Sequence, residues 1–73
     1  MSQEYVERVK QTKREIESFL DFEKRALAKF GEAPQDERKH SSWVEMTEPI
    51  ARTISAYQTS IGILEKYFPE IKD

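Results

Sequence analysis

The sequence predicts an all-α fold in which two long amphipathic helices form an antiparallel hairpin. Two regions of helical periodicity are separated by a short segment that contains Gly31 and Pro34. Neither region shows the strict alternation of apolar and polar residues that a half-buried strand requires. With 37% hydrophobic and 36% charged residues, the chain is also too charged for a compact core of helices on a sheet. The 73 residues make at most one domain, which we assign to residues 1–73.

The first helix is predicted from about residue 3 to residue 30. Its apolar residues fall on one stripe when each residue is placed about 100° after the last, and no proline or glycine interrupts them. The stripe consists of Tyr5, Val6, Val9, Ile16, Phe19, Leu20, Leu27 and Phe30. Glu4 with Arg8 and Asp21 with Arg25 form acid-to-base pairs four residues apart, an order that stabilises a helix.

The ends of this helix and the connection after it carry turn and cap signals. Ser2 is an N-cap residue type, and Gly31 fits the left-handed position that often follows a helix. Residues 31–36 include a proline and are predicted to form a turn. Residues 37–41 are polar and ambiguous, because three N-caps compete for the start of the second helix, namely Asp36, Ser42 and Thr47.

The second helix is predicted from about residue 42 to residue 68, kinked near Pro49. Its apolar residues are spaced four, three, four, three and four apart, which is a heptad seam: Ile50, Ile54, Tyr57, Ile61, Leu64 and Phe68. Trp43 and Met46 extend the same stripe backwards through the proline, which favours a kinked helix over a break. Pro69 ends the helix, and residues 69–73 are expected to form a tail.

A partner chain is expected because the chain is short. Ordering it costs roughly 1.5 kcal/mol per residue, close to what burial in so small a core returns, so small proteins add disulfides, metals or a partner. The sequence has no cysteine and a single histidine. We therefore expect a homodimer that completes a four-helix bundle, or association with another helical protein.

The second helix is expected to make the intermolecular contact. From Thr53 to Leu64 it carries no charge, in a chain that is 36% charged. A second, weaker apolar stripe lies beside the seam and consists of Ala56, Ser60, Ile63 and Tyr67. A helix with two apolar strips is usually enclosed on more than one side. In the opposite arrangement, with the first helices at the centre, Phe22 becomes the interface residue.

No catalytic, cofactor-binding or metal-binding residue is predicted, and we do not expect an enzyme. His40 is the only imidazole and lacks nucleophile-elbow glycines or a set of further metal ligands, which favours a solvated or helix-capping histidine. Glu23 lies near the centre of the first apolar stripe, opposite the region of His40 and Trp43 in a hairpin. It is either an edge residue that reaches water or half of a buried pair, and we favour the edge. Thr12 and Lys13 have the same interpretation.

The predicted function is protein–protein interaction through helix packing, as an adaptor, assembly factor, small chaperone or regulator. The alternative is a small nucleic-acid-associated regulator, in which dimerisation brings together two basic clusters of the first helix. The clusters are Arg8, Lys10, Lys13 and Arg14, followed by Lys24, Arg25 and Lys29. Both are interleaved with acids, and the net charge is −2, so an ordinary solvated surface is favoured over nucleic-acid binding.

A cytoplasmic location without membrane contact is expected. No apolar run approaches the roughly 20 residues that span a bilayer. The first residues lack the basic segment followed by an apolar one that marks a secretory signal.

Overall fold

In the computed structural model, which describes residues 3–72, three helices and a short 3₁₀ turn follow one another. Helix α1 spans Gln3–Gly31, α2 spans Gln35–Arg38 and α3 spans Ser41–Tyr67, and Pro69–Ile71 form the C-terminal turn. The described part of the chain contains no strand. The two long helices, α1 and α3, pack against each other. The prediction of an all-α helical hairpin is confirmed.

Contacts at the two ends of the molecule define how the long helices pair. At the open end, where α1 begins and α3 ends, the ring centroids of Tyr5 and Phe68 lie 5.6 Å apart. At the turn end, the indole N–H of Trp43 donates a hydrogen bond of 2.9 Å to the backbone carbonyl of Phe30. Residue numbers rise along α1 as they fall along α3, so the helices are antiparallel.

Helix α1 is uninterrupted, and both predicted acid-to-base pairs form on its surface. Arg8 lies 3.4 Å from Glu4, and Arg25 lies 2.8 Å from Asp21. All four side chains are more than half exposed, so each pair adds well under about 1 kcal/mol of stability. The predicted N-cap, Ser2, lies outside the described residues.

The prediction of a left-handed glycine after α1 is wrong. Gly31 is the last residue of the helix, and no described residue has a positive φ angle. The chain leaves the helix through two bonds of 3.2 Å, from the N–H of Glu32 to the carbonyl of Lys29 and from the N–H of Ala33 to the carbonyl of Phe30. These bonds span three residues, as in a 3₁₀ turn, and they satisfy the last carbonyls without a left-handed residue.

The connection is more helical than the predicted turn at residues 31–36, because α2 already begins at Gln35. The segment left ambiguous, residues 37–41, contains the end of α2 and the first residue of α3. The residues of α2, a single helical turn, are exposed. No apolar periodicity is therefore needed there, and the polar sequence gave no clear signal of secondary structure.

The N-cap of α3 is His40, and none of the three predicted candidates occupies that position. The Nδ1 atom of His40 accepts a hydrogen bond of 3.2 Å from the N–H of Ser42 and lies 2.8 Å from its Oγ. The three candidates were wrong because histidine is not among the favoured N-cap residue types, whereas the interpretation of His40 as a solvated or helix-capping histidine agrees with this position.

Helix α3 continues through Pro49 without a break. Proline has no N–H to donate, so the carbonyl of Glu45 loses its helical partner. One turn later the hydroxyl of Thr53 donates a hydrogen bond of 2.9 Å to the carbonyl of Pro49. The continuous helix agrees with the seam, while the kink near Pro49 stays a prediction.

The C-terminal turn corrects the prediction of a tail at residues 69–73. Its Ile71 is 3% exposed, and the turn packs against both α1 and α3. The ammonium of Lys13 donates a hydrogen bond of 3.3 Å to the carbonyl of Ile71 and lies 3.7 Å from the carboxylate of Glu65. The end of the described chain is therefore part of the core.

That core is thin. Ile71 is the only buried hydrophobic residue of the described chain, and Lys13 and Thr47 are the buried polar ones. The molecule measures 54 × 15 × 15 Å, and its radius of gyration is 16.2 Å. A compact domain of this length has a radius of gyration of about 11 Å. Two helices side by side shield their shared seam and leave the rest of both surfaces in contact with water. No helix of the described residues is long and apolar enough to cross a membrane.

Candidate interaction surface

The hairpin has two broad sides, one on each side of the plane that contains both helix axes. We place each residue about 100° after the last and take Ile16 and Tyr57 as the centres of the contact between the helices. Around the helix axis, followed in the direction of the chain, Lys13 then lies about 60° past Ile16 and Glu65 lies about 80° past Tyr57. Their side chains meet at 3.7 Å. Residues rotated in this same direction from Ile16 on α1 and from Tyr57 on α3 therefore lie on the same side of the hairpin.

The side that carries Lys13 and Glu65, which we call the closed side, is covered by the C-terminal turn. Lys13 is only 7% exposed, and its ammonium donates a hydrogen bond to the carbonyl of Ile71 in that turn. A shallow depression beside the turn is lined mainly by polar residues, namely Lys10, Lys13, Arg14 and Glu17 with Ile71. The closed side therefore offers charge and little apolar surface.

The opposite side, which we call the open face, carries large apolar side chains that remain exposed. Residues displaced by about 60° to 120° in the other sense form it. Its apolar and small residues are Phe19, Phe22 and Ala26 on α1 and Ala56, Ser60, Ile63 and Tyr67 on α3, and the charged residues in the same range are Glu4, Arg8 and Glu15 on α1 and Glu45 on α3. Phe22 is 68% exposed, Ile63 is 51% exposed and Tyr67 is 67% exposed. Phe19 is also exposed, although its ring stacks on Tyr57 with centroids 6.2 Å apart.

The five predicted interface residues all lie on this open face. The sequence left Phe22 and the stripe of α3 as alternatives, because it could not fix how one helix is rotated relative to the other. With the sides defined by the contact of Lys13 with Glu65, helical spacing places the two alternatives on one side of the hairpin. Phe22 lies toward the turn end from the stack of Phe19 on Tyr57, and Ile63 lies toward the open end. Their role in an interface stays a prediction.

Three further large apolar side chains are exposed: Tyr5 near the start of α1, and Val44 and Met46 at the turn end of α3. Val44 is half exposed on the closed side of that helix. Met46 is also exposed, in a concavity of about 420 Å³ lined by Asp36, Glu37, His40, Ser42, Trp43 and Met46. These residues are separated from the open face, so they provide internal comparisons for experiments on it.

Glu23 and His40 do not form a site together. Phe30 lies against Trp43 at the turn end and Phe19 lies against Tyr57, so Glu23 lies between these two levels. The expectation that Glu23 lies opposite His40 was therefore wrong, because the helices pair about three turns away from the assumed register. Glu23 is half-buried and forms no hydrogen bond or ion pair within residues 3–72, as an edge residue would.

His40 has a structural role, since its Nδ1 caps α3. Across residues 3–72, no three acidic, histidine or cysteine side chains are grouped so that they could hold a metal ion.

The basic clusters of α1 do not form a continuous positive surface within one chain. Four of their seven residues pair with carboxylates: Arg8 with Glu4, Lys10 with Glu7, Lys13 with Glu65 and Arg25 with Asp21. Lys13 is also buried, so it cannot contact a phosphate from solution without leaving its partners.

Lys13 is the residue that the sequence interpretation misplaced. It was expected at a wet edge, yet it is among the most buried residues of the described chain. Its partners, Glu65 and Ile71, lie at the other end of the sequence, so no local pattern links them to it. The signal that could have found it was its position on the apolar stripe of α1, combined with an apolar residue in the presumed tail.

The fold and this surface together define a class of protein: an antiparallel helical hairpin with one covered side and one open apolar face. Comparison with protein families, curated proteins and solved structures found no match to the chain.

Proposed function

We propose that this protein is an interaction module that acts through helix packing and associates with itself to complete a four-helix bundle. The observation that carries the proposal is the surface area of the single chain. The accessible surface is 5662 Å². A compact monomer of 8.6 kDa exposes about 4,700 Å². The excess is roughly 1,000 Å², and each partner in a stable interface of standard size buries about 800 Å².

The chemistry of the exposed residues supports association more than solvation. Phe19, Phe22, Ile63 and Tyr67 each expose about half or more of their surface, and all four share one side of the hairpin. Burying apolar surface contributes about 25 cal/mol per Å², so leaving these side chains in water forgoes several kcal/mol. Grouped exposed apolar residues of this kind mark interaction sites.

The proposed role is that of an adaptor, assembly factor, small chaperone or regulator, in which the contact itself is the activity. Catalysis is not part of the proposal, because His40 is engaged as a helix cap and Glu23 lies apart from it. Nucleic-acid binding is not carried forward either, because the paired basic residues of α1 favour no continuous contact with phosphates.

Sedimentation equilibrium across the micromolar range tests the proposal. We expect the mass of a dimer, with little change at high salt, because the surface that drives association is apolar and the Debye length matters only for charges. A monomer mass at every concentration would contradict self-association. Nucleic acid that co-purifies with the protein from its host would instead support the alternative regulator.

A further inference from the structure

We infer that the open face is the surface through which two copies of this chain meet, each presenting the same face to the other. The inference rests on the proposed function and adds the location of the contact: α1 and α3 contribute together, and the closed side remains in water. It replaces a choice between the second helices and the first helices at the centre of the assembly. Both lie there, because Phe22 and Ile63 belong to one side of the hairpin.

The occupant is a second copy because the area and the symmetry fit one. The excess surface of roughly 1,000 Å² matches the share that one partner buries in a standard interface. The grouped apolar surface lies on one side only, since on the other side the C-terminal turn packs on both helices and Val44 is the single large apolar side chain left exposed among the described residues. A hairpin with two apolar sides would continue into a filament, whereas a one-sided hairpin forms a closed, two-fold pair.

The charge distribution permits self-contact. From Thr53 to Leu64 the chain carries no charge, so the α3 half of the open face brings no like charges together when two copies meet. The nearest carboxylates are on α1, where Glu15 lies one turn before Phe19 and Glu23 lies at the seam. Replacing Glu15 with glutamine should therefore leave the pair intact or tighten it.

The mixture of large and small side chains on the open face suits contact with the same face of a second copy. Phe19 and Phe22 are large exposed side chains toward the turn end, and Ile63 and Tyr67 are large exposed side chains toward the end of the hairpin where α1 begins. The small side chains of Ala56 and Ser60 lie between them along α3. Large residues beside small ones let two helical layers interdigitate, which is how bundles fill their cores.

The test compares charge placed on the two sides of the same helix. Ile63→Glu puts a carboxylate within the proposed contact, and we expect the dimer dissociation constant to rise at least about 100-fold. Phe22→Glu should do the same from α1. Val44→Glu is the matched control, since Val44 is also a half-exposed β-branched residue of α3 but lies on the closed side. It should leave the dissociation constant within about three-fold of wild type.

Circular dichroism of each variant separates association from folding. Ile63 is half exposed in the single chain, so helix content at high concentration should be largely retained in Ile63→Glu. Where that variant loses helix content, Ile63→Ser, which removes the apolar side chain without adding charge, is measured by sedimentation in its place and should also weaken the dimer.

The outcomes are distinguishable. A wild-type dimer that dissociates in Ile63→Glu and Phe22→Glu but not in Val44→Glu supports the open face. A wild-type dimer unaffected by the first two variants, or disrupted only by Val44→Glu, overturns the open face and leaves the proposed self-association standing. A wild-type monomer overturns both.

Discussion

At the scale of single residues, the structure assigns structural roles to the side chains that looked most able to do chemistry. The lone imidazole, His40, accepts a backbone N–H and begins α3. The indole of Trp43 closes the turn by donating to the last residues of α1. Polar atoms near the turn are thus used to satisfy helix ends, which each leave four backbone groups without a helical partner.

Gly62 gives a prediction at this scale. It lies within α3 in an exposed position, and a methyl group added to it would meet nothing within 4 Å. Its φ angle is not positive, so alanine fits the same backbone. Gly62→Ala should therefore raise the free energy of unfolding by about 0.5–1 kcal/mol, because alanine loses less conformational entropy in a helix. Chemical denaturation measures the change.

Gly31→Ala is the matched control, since Gly31 is equally unobstructed but is the last residue of α1. Its effect should be smaller, because helix ends fray. Gly62 points away from the open face at about 100° per residue, so the dimer should be unaffected. If Gly62→Ala instead destabilised the protein, another chain would have to approach the helix closely at that position.

At the scale of elements, the two long helices could be predicted from the sequence and the short ones could not. The long helices follow from a helical period of apolar residues that is repeated over many turns. Pro49 did not hide this period in α3. The single turn of α2 and the C-terminal turn are each too short to show a period. Their positions depend on contacts with residues far away in the chain, as with Ile71 and Lys13.

The proposed interface could likewise be predicted only in part from the sequence. The sequence identified the apolar residues beside the seam, because helical spacing fixes which residues share a stripe. It could not say that Phe22 and Ile63 share one side of the molecule, because that depends on the rotation of two helices about their own axes. The stack of Phe19 on Tyr57 and the pair of Lys13 with Glu65 supply that rotation.

The C-terminal turn is predicted to contribute to stability out of proportion to its length. Ile71 is the most buried hydrophobic residue of the described chain, at 3% exposure. Ile71→Ala should lower the free energy of unfolding by about 2–4 kcal/mol through lost burial and the cavity left behind. Ile71→Val, which removes one methylene, should cost about 0.5–1.5 kcal/mol and keeps the test informative if the alanine variant does not fold.

Thermal and chemical unfolding of these variants measure the effect, with Lys72→Ala as the control at the exposed neighbouring position. The control should change stability by less than about 0.5 kcal/mol. Equal stability of Ile71→Ala and Lys72→Ala would mean that the turn does not pack on the helices in solution.

At the scale of the whole molecule, the shape of the single chain explains why assembly is expected. Its cross-section of 15 × 15 Å is that of two helices, with no interior away from their shared seam. Two such hairpins stacked through their open faces would have a four-helix cross-section and a common core. In that arrangement Phe19, Phe22, Ile63 and Tyr67 would become core residues, and the charged closed sides would face water.

A four-helix assembly predicts that folding and association are coupled. If the dimer is much more stable than the isolated hairpin, unfolding releases two chains from one folded unit, and mass action makes the melting temperature rise with protein concentration. We expect this rise for the wild type when circular dichroism melts are recorded across the micromolar range. Ile63→Glu should melt at a lower temperature, and its melting temperature should not depend on concentration. Val44→Glu should retain the dependence of the wild type. A wild-type melting temperature that stays constant over this range would show that the single hairpin is stable alone, and the thin core around Ile71 would then have to be sufficient for folding.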